Sequence, residues 1–180
     1  MIYRSHDWLN TQRIMLVGTE NIPLSQFNRI VSVMESFLIR VWRRNDILLM
    51  GDGYGVDAQA LRFAEHWEMR YEVCGTAVRP RNGASLRRYT RIVGGDKTAF
   101  MLAQASHVIC LSTGQIFTRK QEYEPVYATF RKAVAAGLWV TWWSEVTGIG
   151  WPVVLDEKPP RPIGIPIMPP FLHPAWANNV

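Results

Sequence analysis

The sequence predicts a three-layer α/β/α sandwich of the Rossmann-like type, built around a mainly parallel sheet. Short apolar runs alternate along the chain with longer segments in which apolar residues recur at helical spacing. The runs are apolar on both faces, as expected for parallel strands that helices cover on each side. Several runs end in glycine beside a hydroxyl or acidic residue, which favours a ligand cleft at the carboxyl edge of the sheet.

Two strand–helix units account for the first part of the chain. Residues 14–17 form the first strand, and a helix begins near Pro23 or Ser25 and runs to about Trp42. Residues 47–50 form the second strand. The second helix spans about 56–67, and its inner face carries Ala60, Leu61, Ala64 and Trp67.

The alternation continues in the second part of the chain. We expect strands at 71–78, 108–111 and 138–143, separated by helices at 95–105 and 123–136. The sequence then becomes rich in proline and glycine, which excludes a long helix. We therefore expect a Rossmann-like domain at 1–143 and an extended Pro-rich tail at 144–180, packed on the domain or on a neighbouring subunit.

Composition limits the class of protein. The chain has 180 residues, of which 48% are hydrophobic, so it can form one domain with a sizeable core. Its net charge of +5 favours anionic partners. Cys74 and Cys110 lie in apolar runs and are predicted to be free thiols of a reducing compartment. Because no apolar run approaches the ~20 residues of a membrane span, we predict a cytoplasmic protein with no membrane partner.

A glycine-spaced turn follows the second strand. Gly51, Asp52, Gly53 and Gly55 lead directly into the helix that begins at Val56. The glycines let backbone amides approach a ligand closely, and the helix N-terminus offers unpaired N–H groups and a positive dipole end. This pattern favours a phosphate site, although a tight turn without a ligand has the same spacing.

Two other strand ends are predicted to meet this turn. Residues Gly18, Thr19 and Glu20 follow the first strand, and Ser112, Thr113 and Gly114 follow the strand at 108–111. Because the carboxyl ends of parallel strands lie at one edge of a sheet, the three turns should line a single cleft.

A basic loop follows the third strand. Residues 79–91 contain five arginines and no acid, and the loop is expected near the glycine turns. Arg79 and Arg81 are candidates for phosphate contacts, Asn82 lies beside them, and Tyr89 could stack on a base. If the ligand were DNA, this loop would contact its backbone first; a solvated loop, or one paired with a neighbouring subunit, is the alternative.

Acidic residues near the cleft allow more than one role. Glu20, Asp52 and Asp57 could hold Mg²⁺ or accept hydrogen bonds from a ribose, and in an enzyme Asp57 could activate water. Asp57 and Asp96 could instead cap the helices that they begin. The four histidines have no ligand spacing, so we predict no dedicated metal site.

Three motifs together resemble the SLOG superfamily. They are Gly-Asp-Gly-Tyr-Gly-Val-Asp at 51–57, Asp-Lys-Thr-Ala-Phe-Met at 96–101 and Ala-Ser-His-Val-Ile-Cys-Leu-Ser-Thr-Gly at 105–114. This superfamily of Rossmann-like domains includes proteins similar to DNA-processing protein A and the lonely-guy phosphoribohydrolases, and the resemblance covers about 13–143. It implies a ligand of nucleotide or ADP-ribose type near Gly18, Thr19, Gly51, Gly53, Gly55, Asp57, Asn82, Asp96 and Gly114.

The sequence departs from the lonely-guy enzymes at their glycine-rich catalytic motif. Those enzymes have Pro-Gly-Gly-x-Gly-Thr-x-x-Glu, whereas the matching region at 112–122 lacks the glycine pair, and Glu122 or Glu124 is the nearest acid. Three hypotheses therefore stay open. The favoured one is a module that senses or sequesters a nucleotide-derived ligand of the ADP-ribose, cyclic ADP-ribose or nucleoside-phosphate type. The second is an N-glycoside hydrolase or transferase that uses Glu122 and Asp57 on a nucleoside monophosphate or an NAD-like substrate. The third is a single-stranded DNA-binding protein that uses the arginine loop at 79–91. The apolar tail and many tryptophans also predict a homo-oligomer.

Overall fold

A seven-stranded sheet forms the centre of the computed structural model, which describes residues 11–112, 125–145 and 152–157. The strands are β1 (Arg13–Gly18), β2 (Ile47–Gly51), β3 (Tyr71–Gly75), β4 (Tyr89–Arg91), β5 (His107–Ser112), β6 (Trp139–Glu145) and β7 (Pro152–Glu157). Their order in the sheet is β4-β3-β2-β1-β5-β6-β7. The first six strands are parallel, and β7 pairs antiparallel with β6. The predicted mainly parallel sheet is confirmed.

Helices cover both faces of the sheet. They are α1 (Leu24–Val41), α2 (Val56–His66), α3 (Lys97–Leu102) and α4 (Pro125–Ala135). Side chains of β1 alternate between the faces: Ile14 and Leu16 belong to the core beneath α1 and α2, and Met15 belongs to the core beneath α3 and α4. The predicted three-layer sandwich is therefore confirmed.

The strand order places a crevice beside β1. After β1 the chain crosses to β2 on one side, while β5 pairs with β1 on the other side. Loops that leave the two strands diverge at such a switch point, and open α/β sheets bind ligands there. The crevice lies at the carboxyl edge, where Gly18 and Ser112 end their strands.

The third strand is shorter than expected, and a strand follows it that the sequence did not predict. β3 ends at Gly75 rather than at residue 78. β4 has three residues, too few for a periodic pattern. Two side-chain hydrogen bonds link it to β3 and to the loop that follows β3. Thr90 Oγ1 donates to Glu72 Oε1 at 2.6 Å, and the Tyr89 hydroxyl donates to the carbonyl of Ala77 at 2.8 Å.

The basic loop is divided between the two edges of the sheet, which corrects its expected position. Because β3 and β4 are parallel, the chain between them must return to the amino edge. A short 3₁₀ helix, Leu86–Arg88, lies there and shares a groove with Tyr71 at the start of β3. Arg81 remains at the carboxyl edge, whereas Arg87 and Arg88 do not approach the glycine turns.

Other boundaries differ by a few residues. α3 begins at Lys97, because Asp96 caps its first turn through the amides of Thr98 and Ala99, and it ends at Leu102. β6 continues to Glu145, and β7 forms within the segment assigned to the tail. Residues 158–180 lie outside the described part of the chain, so the division at residue 143 stays a prediction.

Candidate functional site

The glycine turn joins the end of β2 to the start of α2. Gly55, the N-cap of α2, has a φ of +65°, and a side chain there would overlap the carbonyls of Thr19 and Glu20. The Val56 amide donates to the Thr19 carbonyl at 3.2 Å. The loop after β1 and the start of α2 are therefore held together, and only glycine fits where they touch.

The end of β1 packs just as closely. A Cβ at Gly18 would overlap the side chain of Val56, which is fully buried. The amide of Thr19 donates to the carbonyl of Leu111 on β5 at 3.0 Å. Three of the predicted strand ends and helix starts thus meet at one point, as the parallel topology requires.

The carboxylate of Asp57 lies inside the glycine turn. Its Oδ2 accepts a hydrogen bond from the Gly53 amide at 3.2 Å, and a Cβ at Gly51 would overlap it. Loss of solvent around this half-buried carboxyl raises its pKa to about 6, although the positive charge of Lys97 opposes the rise. An internal acid thus occupies the turn that an anionic ligand would enter.

Two cations from distant segments converge beside the turn. Asp52, whose side chain is only 3% exposed, has Lys97 Nζ 3.5 Å from its Oδ1 and Arg81 Nε 3.8 Å from its Oδ2. Arg81 Nη1 also contacts Oε1 of Glu20 at 3.1 Å. A Cβ at Gly51 would lie 3.1 Å from Lys97 Nζ, so the ammonium group faces the glycine backbone directly.

An amide and an aromatic ring complete this cluster. Asn82 Nδ2 donates to the Gly51 carbonyl at 3.2 Å, and its Oδ1 accepts from the Ala84 amide at 3.3 Å. The guanidinium of Arg81 lies 5.7 Å from the centre of the exposed Tyr54 ring. Asn82 therefore fixes the start of the basic loop on the glycine turn, and Tyr54 helps to orient Arg81. We call residues Glu20, Gly51, Asp52, Gly53, Tyr54, Asp57, Arg81, Asn82 and Lys97 the cleft cluster.

Other predicted site residues lie elsewhere. Asp96 caps α3, and its Oδ2 also accepts from Lys132 Nζ at 3.2 Å. Ser112 is buried at the end of β5. Arg79 is exposed in the segment after β3. The remaining predicted positions, Thr113, Gly114 and Glu122, lie outside the described residues.

Two residues of the cleft cluster, Lys97 and Tyr54, were not predicted as site residues. Lys97 is the first residue of α3 and lies 45 positions from Asp52 in the sequence. Only the strand order brings the two together, so no local pattern identifies the contact. Tyr54 lies between Gly53 and Gly55 in the glycine motif itself, so an aromatic residue at that position could have identified it as a site residue.

The described residues contain neither a group of metal ligands nor a membrane-spanning helix. Within 11–112, 125–145 and 152–157, no three side chains of His, Cys, Asp or Glu lie close enough together to share a metal ion. No helix in the same part of the chain is both long and apolar enough to span a bilayer.

Solved structures share the architecture. The molybdenum cofactor carrier protein of Chlamydomonas reinhardtii matches with a TM-score of 0.52 at 13% identity, over 74% of this chain and 76% of that chain. DNA processing protein A of Streptococcus pneumoniae matches with a TM-score of 0.51 at 12% identity, over 80% of this chain and 54% of that chain. This chain has a Rossmann-like α/β fold.

The likeness is one of fold alone, since the identities are low and this chain spans about half the length of DNA processing protein A. No protein-family model matches the sequence, and no curated protein matches it either. The cleft cluster must therefore be interpreted from its own geometry.

Proposed function

We propose that the chain binds a nucleotide-derived ligand through its phosphate at the cleft cluster, as a sensor or sequestering module. The observation that carries this proposal is the convergence of Arg81 and Lys97 on the backbone of Gly51 and Gly53. A guanidinium and an ammonium group beside glycine amides are a donor set that suits phosphate oxygens.

The partners of Arg81 indicate how a phosphate would enter. Glu20 is 49% exposed and Arg81 is 44% exposed, and an ion pair of that exposure contributes about 0–1 kcal/mol. A phosphate can therefore replace Glu20 on Arg81 at little cost. Asp52 is buried and keeps both cations in place during the exchange.

Two observations favour binding without turnover. Asp52 is enclosed between Arg81 and Lys97, so it is held as a structural counter-ion rather than presented to a substrate. One protein of the same fold is a carrier of the molybdenum cofactor, so the SLOG-type scaffold can serve carriage of a small molecule. The first experiment is therefore to identify which nucleotide or ADP-ribose compound binds.

Thermal denaturation with AMP, ADP-ribose, NAD and cyclic dinucleotides tests the proposal. A ligand that raises the Tm and is recovered intact by chromatography supports it. Arg81→Ala and Lys97→Met should each raise the Kd about 10- to 100-fold, the effect of losing a charge-assisted hydrogen bond. Arg62→Ala is the matched control, because Arg62 is an exposed arginine in the middle of α2. No Tm rise with any nucleotide, or equal Kd values for all three variants, would refute the proposal.

A second candidate function, N-glycoside hydrolysis, is favoured by one observation. The pKa of Asp57 is raised to about 6, and a general acid or base works best when its pKa lies near the working pH. Recovery of a free base and a sugar phosphate from the same samples would support it. Asp57→Asn would then abolish product release while the ligand still raised the Tm.

The hypothesis of DNA binding through the whole basic loop is not favoured. Its arginines lie at two edges of the sheet, so the loop does not present one continuous surface. The expected homo-oligomer and the reducing compartment stay predictions. Both cysteines are buried and unpaired, in agreement with their predicted state.

A further inference from the structure

A groove of about 270 Å³ lies at the amino edge of the sheet, opposite the cleft cluster. The 3₁₀ helix Leu86–Arg88 forms one wall with Arg87 and Arg88, and Arg70 extends from the residue before β3. Arg70 and the adjacent pair Arg87 and Arg88, which come from two separate segments of the chain, thus line one surface. We call this surface the amino-edge groove.

The positive charge of the groove is not compensated by its one acid. Glu72 lines the groove, but its Oε2 pairs with Arg13 at 3.1 Å and its Oε1 accepts from Thr90 at 2.6 Å. Among the residues that the structure describes, no carboxylate lies within ion-pair distance of Arg70, Arg87 or Arg88. The groove therefore presents three exposed guanidinium groups to an anion.

One of these arginines is held in position. The guanidinium of Arg88 lies 5.7 Å from the centre of the Tyr71 ring, and the Tyr71 hydroxyl donates to Glu65 Oε1 at 3.0 Å. Arg70 Nη1 donates to the carbonyl of Asn45 at 3.1 Å, which leaves its other donors available. Pre-positioned guanidinium groups bind phosphate at a lower entropic cost.

An exposed aromatic residue lies at the same edge. α2 runs opposite to the strands, so its C-terminal end and Trp67 lie at the amino edge, three residues before Arg70. Trp67 was expected on the inner face of the second helix, but the helix ends at His66 and Trp67 is 57% exposed. Phe63 and His66 nevertheless hold its ring, with centroid distances of 6.1 and 5.4 Å. An indole held in position at the same edge of the sheet as a group of arginines is typical of surfaces that bind single strands, because bases stack on the ring while phosphates pair with arginine.

We propose that the amino-edge groove binds a single-stranded nucleic acid, with Arg70, Arg87 and Arg88 on the phosphates and Trp67 stacked on a base. This site is separate from the nucleotide cleft. Phosphate alone would use the arginines but not Trp67, and an acidic peptide would likewise make no stacking contact with the indole. The combination of both features therefore selects a strand.

Fluorescence anisotropy with a labelled twelve-residue oligothymidylate and the full chain tests the proposal. Arg87→Ala/Arg88→Ala should reduce the slope of log K against log salt concentration by about 1.4, since each lost phosphate contact removes about 0.7 on a single strand. Trp67→Ala should weaken binding about tenfold, through lost stacking. Arg88→Lys keeps the positive charge but not the planar guanidinium fork. It should therefore bind the strand more weakly than the wild type but more tightly than Arg88→Ala.

Arg62→Ala removes one charge away from the groove and should bind the strand like the wild type. The proposal is overturned if the double variant binds like Arg62→Ala, or if inorganic phosphate or a polyglutamate peptide competes as well as unlabelled oligothymidylate. The double variant should retain any Tm rise with nucleotides, so failure of this proposal is distinguishable from failure of the cleft proposal.

Discussion

Replacing Asp57 by asparagine should stabilise the protein at neutral and alkaline pH. The pKa of Asp57 rises from 3.8 to about 6 in the folded protein, mainly because burial disfavours the charged carboxylate. A rise of this size corresponds to ~3 kcal/mol of stability lost once the carboxyl is ionised in both states. Asparagine can still accept the hydrogen bond that the Gly53 amide donates, and it carries no charge.

The stability cost of Asp57 increases with pH. Below pH 3.8 the carboxyl is protonated in both states, so Asp57 adds no cost. Between pH 3.8 and about 6 the folded protein holds the proton while the unfolded chain has released it, so stability falls as pH rises. Above about pH 6 the cost is complete. The advantage of Asp57→Asn should therefore be small at pH 4 and grow to ~1–3 kcal/mol at pH 8, the lower value allowing for solvent screening of a half-buried group.

Urea denaturation of both proteins at pH 4, 6 and 8 measures this difference. Asp96→Asn is a control with the opposite trend, because Lys132 and the amides at the start of α3 lower the pKa of Asp96. Asp96→Asn should lose stability at pH 8, and the loss should vanish as pH falls below the ordinary carboxyl range. If Asp57→Asn is destabilised at pH 8, or its advantage does not change with pH, the inferred burial of a charged carboxylate is incorrect.

Three further predictions concern the scaffold. Gly55→Ala should cost more than the ~1–2 kcal/mol of stability that a positive φ alone costs, because the added Cβ also meets the carbonyls of Thr19 and Glu20. Gly83→Ala is the control, since Gly83 has a φ of +84° and open space around it. In the same urea titration, Gly83→Ala should show the cost of the positive φ alone. Cys74 should not react with a thiol reagent at pH 8 until denaturant is added, since burial raises its pKa to about 12; reaction in the native state would contradict this. The ring signals of His107 in NMR spectra should not move between pH 8 and pH 5, because desolvation lowers its pKa to about 3; a titration midpoint above pH 5 would contradict its burial.

Local sequence patterns predicted the elements whose apolar side chains recur regularly on one buried side. α1 was expected from about residue 23 to residue 42 and spans Leu24–Val41, because Ile30, Met34 and Leu38 recur at helical spacing on its buried side. The glycine turn was predicted for a similar reason. Its spacing is a local property of the backbone, and its closeness to the end of β1 follows from parallel topology.

The rest depended on contacts that no local pattern encodes. β4 was missed because three residues carry no periodicity, and its position is set by contacts with Glu72 and Ala77. Lys97 was missed as a site residue because it lies 45 positions from Asp52 in the sequence, and the two side chains meet only in the folded protein. Seven strands were predicted as five, since β7 lies in a proline-rich segment that composition alone assigns to a tail.

The divided basic loop shows why a cluster in sequence need not be a cluster in space. Two adjacent parallel strands both run from the amino edge to the carboxyl edge, so their connection must cross the full height of the sheet. Asn82 therefore holds the start of 79–91 on the glycine turn, whereas residues 86–88 lie at the start of β3, where Arg88 contacts Tyr71. The compensation of charge then differs between the edges. Arg81 meets Asp52 and Glu20, whereas Arg87 and Arg88 meet no described carboxylate. One basic run thus supplies an arginine that is paired with carboxylates in the cleft at one edge, and arginines without such partners among the described residues in the groove at the other. For this reason, the two proposals can be separated by substitutions only a few residues apart.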